Sequence, residues 1–289
     1  MVECNDKSYK KSRSTRIRHF FLAIVFSSLC VFPRTCFAQT DPSLTIHFVD
    51  AGYGDCSVIQ LPSGKMILVD TGSRSSASAI LAYLATLKVE VIDQVILTHP
   101  HENHFGGLKE ILDRLAVVEV FMNGDDRGEE GFSELIRSLE KKGIIPKVLK
   151  RGDTIDHPTD NIQLRILHPD QLKDSVNAGS LVTLLQYRDF SFVFFSDIEE
   201  AQQKDVIRQY PEIKRAQGVS VPHHGRSISE EFVQAFVGKI FIASTGPSRW
   251  GPANEEQLNR LIGDVYRTDK QGPITLTTDG QRAKVIYGN

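Results

Sequence analysis

Seven consecutive residues constrain this chain more than any others: Thr98-His99-Pro100-His101-Glu102-Asn103-His104. They close an apolar run at 94–98 and precede Gly106-Gly107 and a helical pattern at 108–115. Three imidazoles within six positions of a short strand-to-helix loop can converge on one point, and neutral imidazole is a common ligand of zinc and related ions. A fold that carries this loop must also bring donors from distant sequence to it, since an ion is enclosed by about four ligands.

Two later segments have the right chemistry. Asp197 follows the very apolar run 190–195. A carboxylate there meets a cation or reaches solvent, because burying it unpaired is expensive. A helix N-cap for 198–210 is the alternative. His223-His224-Gly225 follows a buried strand at 218–221. Adjacent side chains point in different directions, so His224 is the expected ligand and His223 is left for proton transfer or phosphate contact. Asp70, ending a strand at 66–69, is expected to anchor the histidine loop through backbone and imidazole N–H groups.

Around these residues the periodicity predicts strands at 44–49, 57–61, 66–69, 94–98 and 117–121, with helices at 77–87, 108–115 and 132–142. The second half repeats the style. Strands are expected at 162–167, 181–187, 190–195, 218–221, 239–243, near 265, and at 274–277 and 283–287, with helices at 198–210, 230–236 and 255–262. The acid-rich stretch 124–131 is the most loop-like inside the domain. Two αβ halves without a Gly/Ser/Pro-rich linker predict a single α/β domain over 39–289, two sheets sandwiched between helices.

The chain opens differently. Lys10, Lys11, Arg13, Arg16 and Arg18 are followed by a thirteen-residue run at 20–32, apolar apart from Ser27 and Ser28, and then by Cys36-Phe37-Ala38. That order predicts a signal peptide over 1–38, cleaved near Ala38, and an exported (periplasmic or secreted) protein. The run is short for a permanent span; an uncleaved anchor is the alternative. Removing the seven basic and two acidic residues of 1–38 takes the formal charge from −2 to −7, a poor match for long nucleic acid. Lys141, Lys142, Lys147, Lys150 and Arg151 form a basic cluster, read as a solvated helix end and strand rather than a DNA track. Of the four cysteines only Cys56 outlasts cleavage, so the mature chain has no internal disulfide.

Six motifs in order carry a resemblance: Val49-Asp50-Ala51-Gly52-Tyr53-Gly54-Asp55, Leu68-Val69-Asp70-Thr71-Gly72, the histidine loop, Asn177 to Leu181, Phe195-Ser196-Asp197-Ile198-Glu199-Glu200, and Pro222 to Gly225. Tyr266-Arg267-Thr268-Asp269 with Gly272 fits the close. The chain resembles the metallo-β-lactamase superfamily, and within it the soluble hydrolase domain of the ComEC-type competence DNA-uptake proteins, over nearly all of 44–288.

The resemblance implies an αββα sandwich whose metal is held by His99, His101, His104, a bridging Asp197 and His224. It implies zinc, with manganese credible for a phosphodiester. Asn103 stands where the family usually has aspartate. A neutral amide there implies one firm ion and a second, weaker one. Asn177 and Ser180 fall at the family's active-site edge, as polar groups at or behind the ligands, whereas His168 reads as structural.

The implied chemistry is metal-assisted hydrolysis, with Asp197 and His223 as the catalytic side chains. Fold does not choose substrate. The leading expectation is a small-molecule or short nucleic-acid phosphodiester; a lactam or lactone hydrolase, or a non-catalytic binding protein with a degenerate metal site, are the alternatives. Channel transport is not expected, because the sequence has no set of multiple membrane helices. No stable span is expected after cleavage, and oligomeric state stays open.

Overall fold

Side chains alternate across each strand, and this decides which faces become dry. The computed structural model describes residues 43–247 and 253–288; the expected signal segment lies outside them. The chain first lays down β1 (Leu44–Phe48), β2 (Ser57–Gln60), β3 (Met66–Val69), β4 (Val91–Leu97), β5 (Ala116–Met122) and β6 (Lys147–Val148). It then builds a second sheet from β7 (Thr154–His157), β8 (Ile162–His168), β9 (Val182–Tyr187), β10 (Phe190–Phe194), β11 (Gly218–Ser220), β12 (Lys239–Ala243) and β13 (Gly263–Arg267). Finally β14 (Ile274–Thr278) and β15 (Ala283–Tyr287) return to the first sheet, β14 pairing antiparallel with β1. The sheet orders are β15-β14-β1-β2-β3-β4-β5-β6 and β13-β12-β11-β10-β9-β8-β7.

Ile46, Phe48, Leu185, Tyr187, Phe190, Phe192 and Phe194 meet between the sheets in one buried cluster. The opposite face of the first sheet, with Val58, Leu68 and Val95, packs on α1 (Ala77–Thr86), on α3 (Leu108–Leu112), which follows the short α2 (Glu102–Phe105), and on α4 (Phe132–Lys141). That of the second sheet, with Leu184, Val193 and Val219, packs on α5 (Glu200–Gln209) and α6 (Glu230–Ala235). Helices, sheet, sheet, helices: the layers are those of an αββα sandwich. Among the described residues no helix is long and apolar enough to cross a membrane.

The layers place the site. Parallel pairing of β3 with β4 sets Asp70 beside the end of β4, its N–H donating to the Ile96 carbonyl at 2.9 Å. Parallel pairing of β10 with β11 does the same for Ser196 and His223, whose N–H donates to the Ser196 carbonyl at 2.9 Å. The Leu181 N–H donates to the Thr98 carbonyl at 2.9 Å and ties the two sheets together at this end.

Several elements differ from expectation. β6 and β7 carry no strong pattern, since both residues of β6 are exposed and β7 buries only Ile155 and His157. α5 begins at Glu200, with Glu199 as N-cap, so Asp197 caps nothing. The helix expected at 255–262 stops as α7 (Glu255–Leu258), because Gly238 N–H draws the Ile262 carbonyl to β12 and Gly263 already starts β13. In the tight loop around Tyr53, Gly52 N–H is taken by Asp50 and Asp55 N–H by the Asn103 carbonyl. Gly54 is required there, as a Cβ would lie 2.5 Å from that same Asn103 oxygen.

Candidate metal centre

Asp197 is 2% exposed and lies where the two sheets' strand ends converge. Its carboxylate is 3.3 Å from His104 Nε2, 3.5 Å from His224 Nε2, 3.8 Å from His99 Nε2 and 3.9 Å from His223 Nε2. Two donors on one tetrahedral ion, each about 2.1 Å from it, stand about 3.4 Å apart. The spacing is therefore that of ligands around shared cations. Among the described residues buried His104 Nε2 and Asp197 Oδ1 have no hydrogen-bond partner, which is costly unless a cation meets them. The donor atoms fall into two sets, His99/His101/Asp197 and His104/Asp197/His224, sharing one carboxylate. This donor set fits divalent metal.

The far sides of the rings explain why the near sides are bare. His104 Nδ1 donates to Asp70 Oδ2 at 2.7 Å and His224 Nδ1 to the Ser244 carbonyl at 2.9 Å. Thr98 Oγ1 donates to Asp70 Oδ2 at 2.7 Å, accepts from Ser196 Oγ at 2.8 Å, and so accepts the proton of His99 Nδ1 at 3.0 Å. Each of these rings is thereby held as the tautomer whose Nε2 lone pair faces inward. Asp70 completes the frame by accepting the Thr98 N–H at 2.8 Å. His101 presents Nδ1 instead, 2.9 Å from His99 Nε2.

Electrostatics follow burial and charge together. Burial opposes the charge on His104, but Asp197 and Asp70 outweigh it and hold its pKa well above that of a free imidazole. Burial likewise opposes the His224 cation, and Asp197 and Asp55 raise its pKa. His99 is pushed well below the ordinary value, by burial and then by the His104 charge. Burial would raise the Asp197 pKa, yet His224 and His104 keep it well below the carboxylate range. The pocket demands positive charge.

Asn103 Nδ2 lies 3.0 Å from His224 Nε2, so its amide borders the second donor set; a half-turn of the amide puts Oδ1 there, the orientation a cation selects. Asn177 lines the same cleft, with Nδ2 3.3 Å from His223 Nε2 and a buried Oδ1 that lacks a hydrogen-bond partner among the described residues. It is positioned by His168, whose Nε2 donates to the Ala178 carbonyl at 2.8 Å, and by Asn123, which donates to the Gly179 carbonyl at 2.9 Å. Ser180 is fully buried and does not line the cleft. The cleft, ≈ 1270 Å³, also exposes Tyr53 and Arg226 on one side and Glu102, Glu129 and Glu130 on another. The sequence assigned no role to Thr98, Ser196 or Arg226: Thr98 and Ser196 meet across 98 positions through the facing sheets, and Arg226 enters on the turn that carries His223 and His224.

A family model of the metallo-beta-lactamase superfamily matches residues 49–184. ComE operon protein 3 of Bacillus subtilis is 26% identical over 253 residues, covering 79% of this chain and 32% of that protein. Recombination protein 2 of Haemophilus influenzae is 26% identical over 257 residues, covering 84% of this chain and 30% of that protein. The chain thus spans about a third of the length of these relatives. Among solved structures, the metallo-beta-lactamase fold protein YhfI of Bacillus subtilis superposes with a TM-score of 0.55 at 12% identity, over 82% of this chain and all of that one. A diphosphatase from the PhnP family gives 0.50 at 11% identity, over 82% of this chain and 98% of that one. These two likenesses establish the fold.

Proposed function

We propose that this chain is a metal-dependent hydrolase of the metallo-β-lactamase superfamily acting on phosphodiesters, in a small phosphoester or short nucleic acid; the family-model match over 49–184 and the shared sandwich support this reading. The observation that carries this reading is the single Asp197 carboxylate ringed by four imidazole nitrogens, two donor sets around one anion. His99, His101 and Asp197, with His104 and His224, would hold divalent ions, zinc or manganese, which would supply Lewis-acid activation of water and stabilisation of developing negative charge. The protein's own residues do the rest. Thr98, Asp70 and the Ser244 carbonyl fix the tautomers of His99, His104 and His224. His223 lines the cleft beyond these ligands, kept neutral by burial despite Asp197, and is placed to accept or deliver a proton at Nε2. The likeness to Recombination protein 2, named for a nucleic-acid process, supports the phosphodiester over other esters.

The test is metal analysis of the purified protein, then assays on a model phosphodiester, single-stranded DNA and a chromogenic cephalosporin, each with and without chelator. Phosphodiester cleavage that needs Zn²⁺ or Mn²⁺ is expected, falling more than about 100-fold in both His101→Ala and Asp197→Ala. Cephalosporin turnover alone would replace this reading with a lactam hydrolase. A protein that binds no metal would be a degenerate binding module. Export remains part of the proposal, on the strength of residues 1–38. Mass spectrometry of protein from the envelope or medium should find an N-terminus near Gln39; full-length protein in the cytosol would refute it.

A further inference from the structure

The turn that delivers His223 and His224 also delivers a third side chain. Both histidines have left-handed backbone, φ 49° and 53°, and Arg226 N–H closes the turn on the His223 carbonyl at 2.8 Å. Three side chains from four consecutive positions are thus gathered at the centre: His224 at Asp197, and His223 and Arg226 on the cleft wall. The Arg226 guanidinium carbon lies 5.2 Å from the centroid of the Tyr53 ring, and that ring lies 4.4 Å from the ring of His224. Guanidinium, phenol and metal-facing imidazole form one continuous run of contacts, the two rings tilted by 50°. A guanidinium laid on an aromatic face is pre-oriented, and its planar fork matches the paired oxygens of a phosphate.

Among the described residues a second guanidinium, Arg74, lines the cleft on its acidic flank. Arg74 has guanidinium nitrogens 3.6 Å from Glu110 and 3.6 Å from Glu134, and its backbone N–H donates to Glu102 Oε1 at 2.7 Å. Glu129 and Glu130 line the same flank. That side repels anions, whereas the Arg226 side adjoins His223 and His224.

We propose that Arg226, seated on Tyr53, receives the non-bridging oxygens of the scissile phosphodiester and orients it at the metal centre; this rests on the phosphodiester reading above. Arg226 is in this role a substrate-binding residue that sets preference for an anionic ester over a neutral one. The metal-loaded wild type, Arg226→Met and Arg226→Lys are titrated calorimetrically with inorganic phosphate, assayed on bis(p-nitrophenyl) phosphate, and analysed for bound metal. Arg226→Met is expected to weaken phosphate binding and raise KM each by about 10-fold or more, the size of a lost charge-assisted bond, with metal content unchanged. Arg226→Lys should recover part of both, since it keeps the charge but not the fork. Equal phosphate affinity in wild type and Arg226→Met overturns the proposal, as does a wild type that binds no phosphate. A loss matched by metal loss also overturns it, by assigning Arg226 to holding the turn. Arg226-dependent phosphate binding without phosphodiester turnover sinks the phosphodiester reading alone and leaves Arg226 as an anion position.

Discussion

Thr98 has one hydroxyl proton, and Asp70 takes it. The hydroxyl can then only accept from His99, and this fixes which ring nitrogen faces the ions. Thr98→Val keeps the shape and removes the lock, so metal affinity should fall about 10–100-fold, measured by competition with a chelator, and Thr98→Ser should restore it. Asn103→Asp should act in the opposite direction. It adds an anion beside His224 and should raise retention of the second ion through dialysis; two ions already held tightly by the wild type would refute this account. Titration supplies a third expectation, for the metal-free protein. The raised pKa values of His104 and His224 contribute stability present below about 6.5 and lost as pH rises through the folded values. The lowered values of His99, His101 and His223 act the other way, because below about 6.5 the unfolded chain takes up protons that the folded one refuses. The thermal midpoint should therefore peak near pH 6.5 after chelation, and a monotonic profile would contradict the assignment. The histidine loop was legible in the sequence because its ligands are neighbours in the chain. Thr98 as tautomer lock and Ser196 as its donor were not, because 98 positions separate them.

At the scale of elements, the strand ends carry the strain. Asp70, Ser196, His223 and His224 all have φ between 49° and 59°, a region that costs a non-glycine residue roughly 1 kcal/mol or more. All four lie within four residues beyond the ends of β3, β10 and β11, so the cost is borne by the sandwich beneath. Phe192 is wholly buried in that sandwich, its ring 5.3 Å from Phe48 of the other sheet. Phe192→Ala should cost about 3–5 kcal/mol in urea denaturation; a loss under about 1 kcal/mol would mean that the sheets do not depend on this contact. Strands such as β10 were readable because their alternation is apolar on both faces, with Phe192 turned to the other sheet and Val193 to the helices. β7 was not, since only Ile155 and His157 are buried and its pairing with β8 is a property of the neighbour. The end of α7 was missed for a similar reason: the competitor for Ile262 is Gly238, distant in sequence.

At the scale of the molecule, residues 39–289 carry a formal charge of −7, and part of the acidic excess sits at the mouth of the cleft. Glu102, Glu129, Glu130 and Glu134 line it with Arg74, which is itself paired to Glu134. A proteins-on-nucleic-acid interface made of lysine and arginine weakens steeply with salt, because binding it releases condensed counterions. Here the sign inverts. Mobile cations screen carboxylates from phosphates over about 8–10 Å at ordinary ionic strength, so apparent affinity for single-stranded DNA, followed by fluorescence anisotropy, should stay flat or rise between about 50 and 200 mM salt. A steep fall would show a basic track elsewhere on the surface, with Lys141 to Arg151 the first place to look. For a phosphodiesterase of the kind proposed, the carboxylate flank would act as a filter on chain length: a lone phosphodiester would pass it, while a polymer would bring its neighbouring phosphates against it and enter only with an escort of counterions.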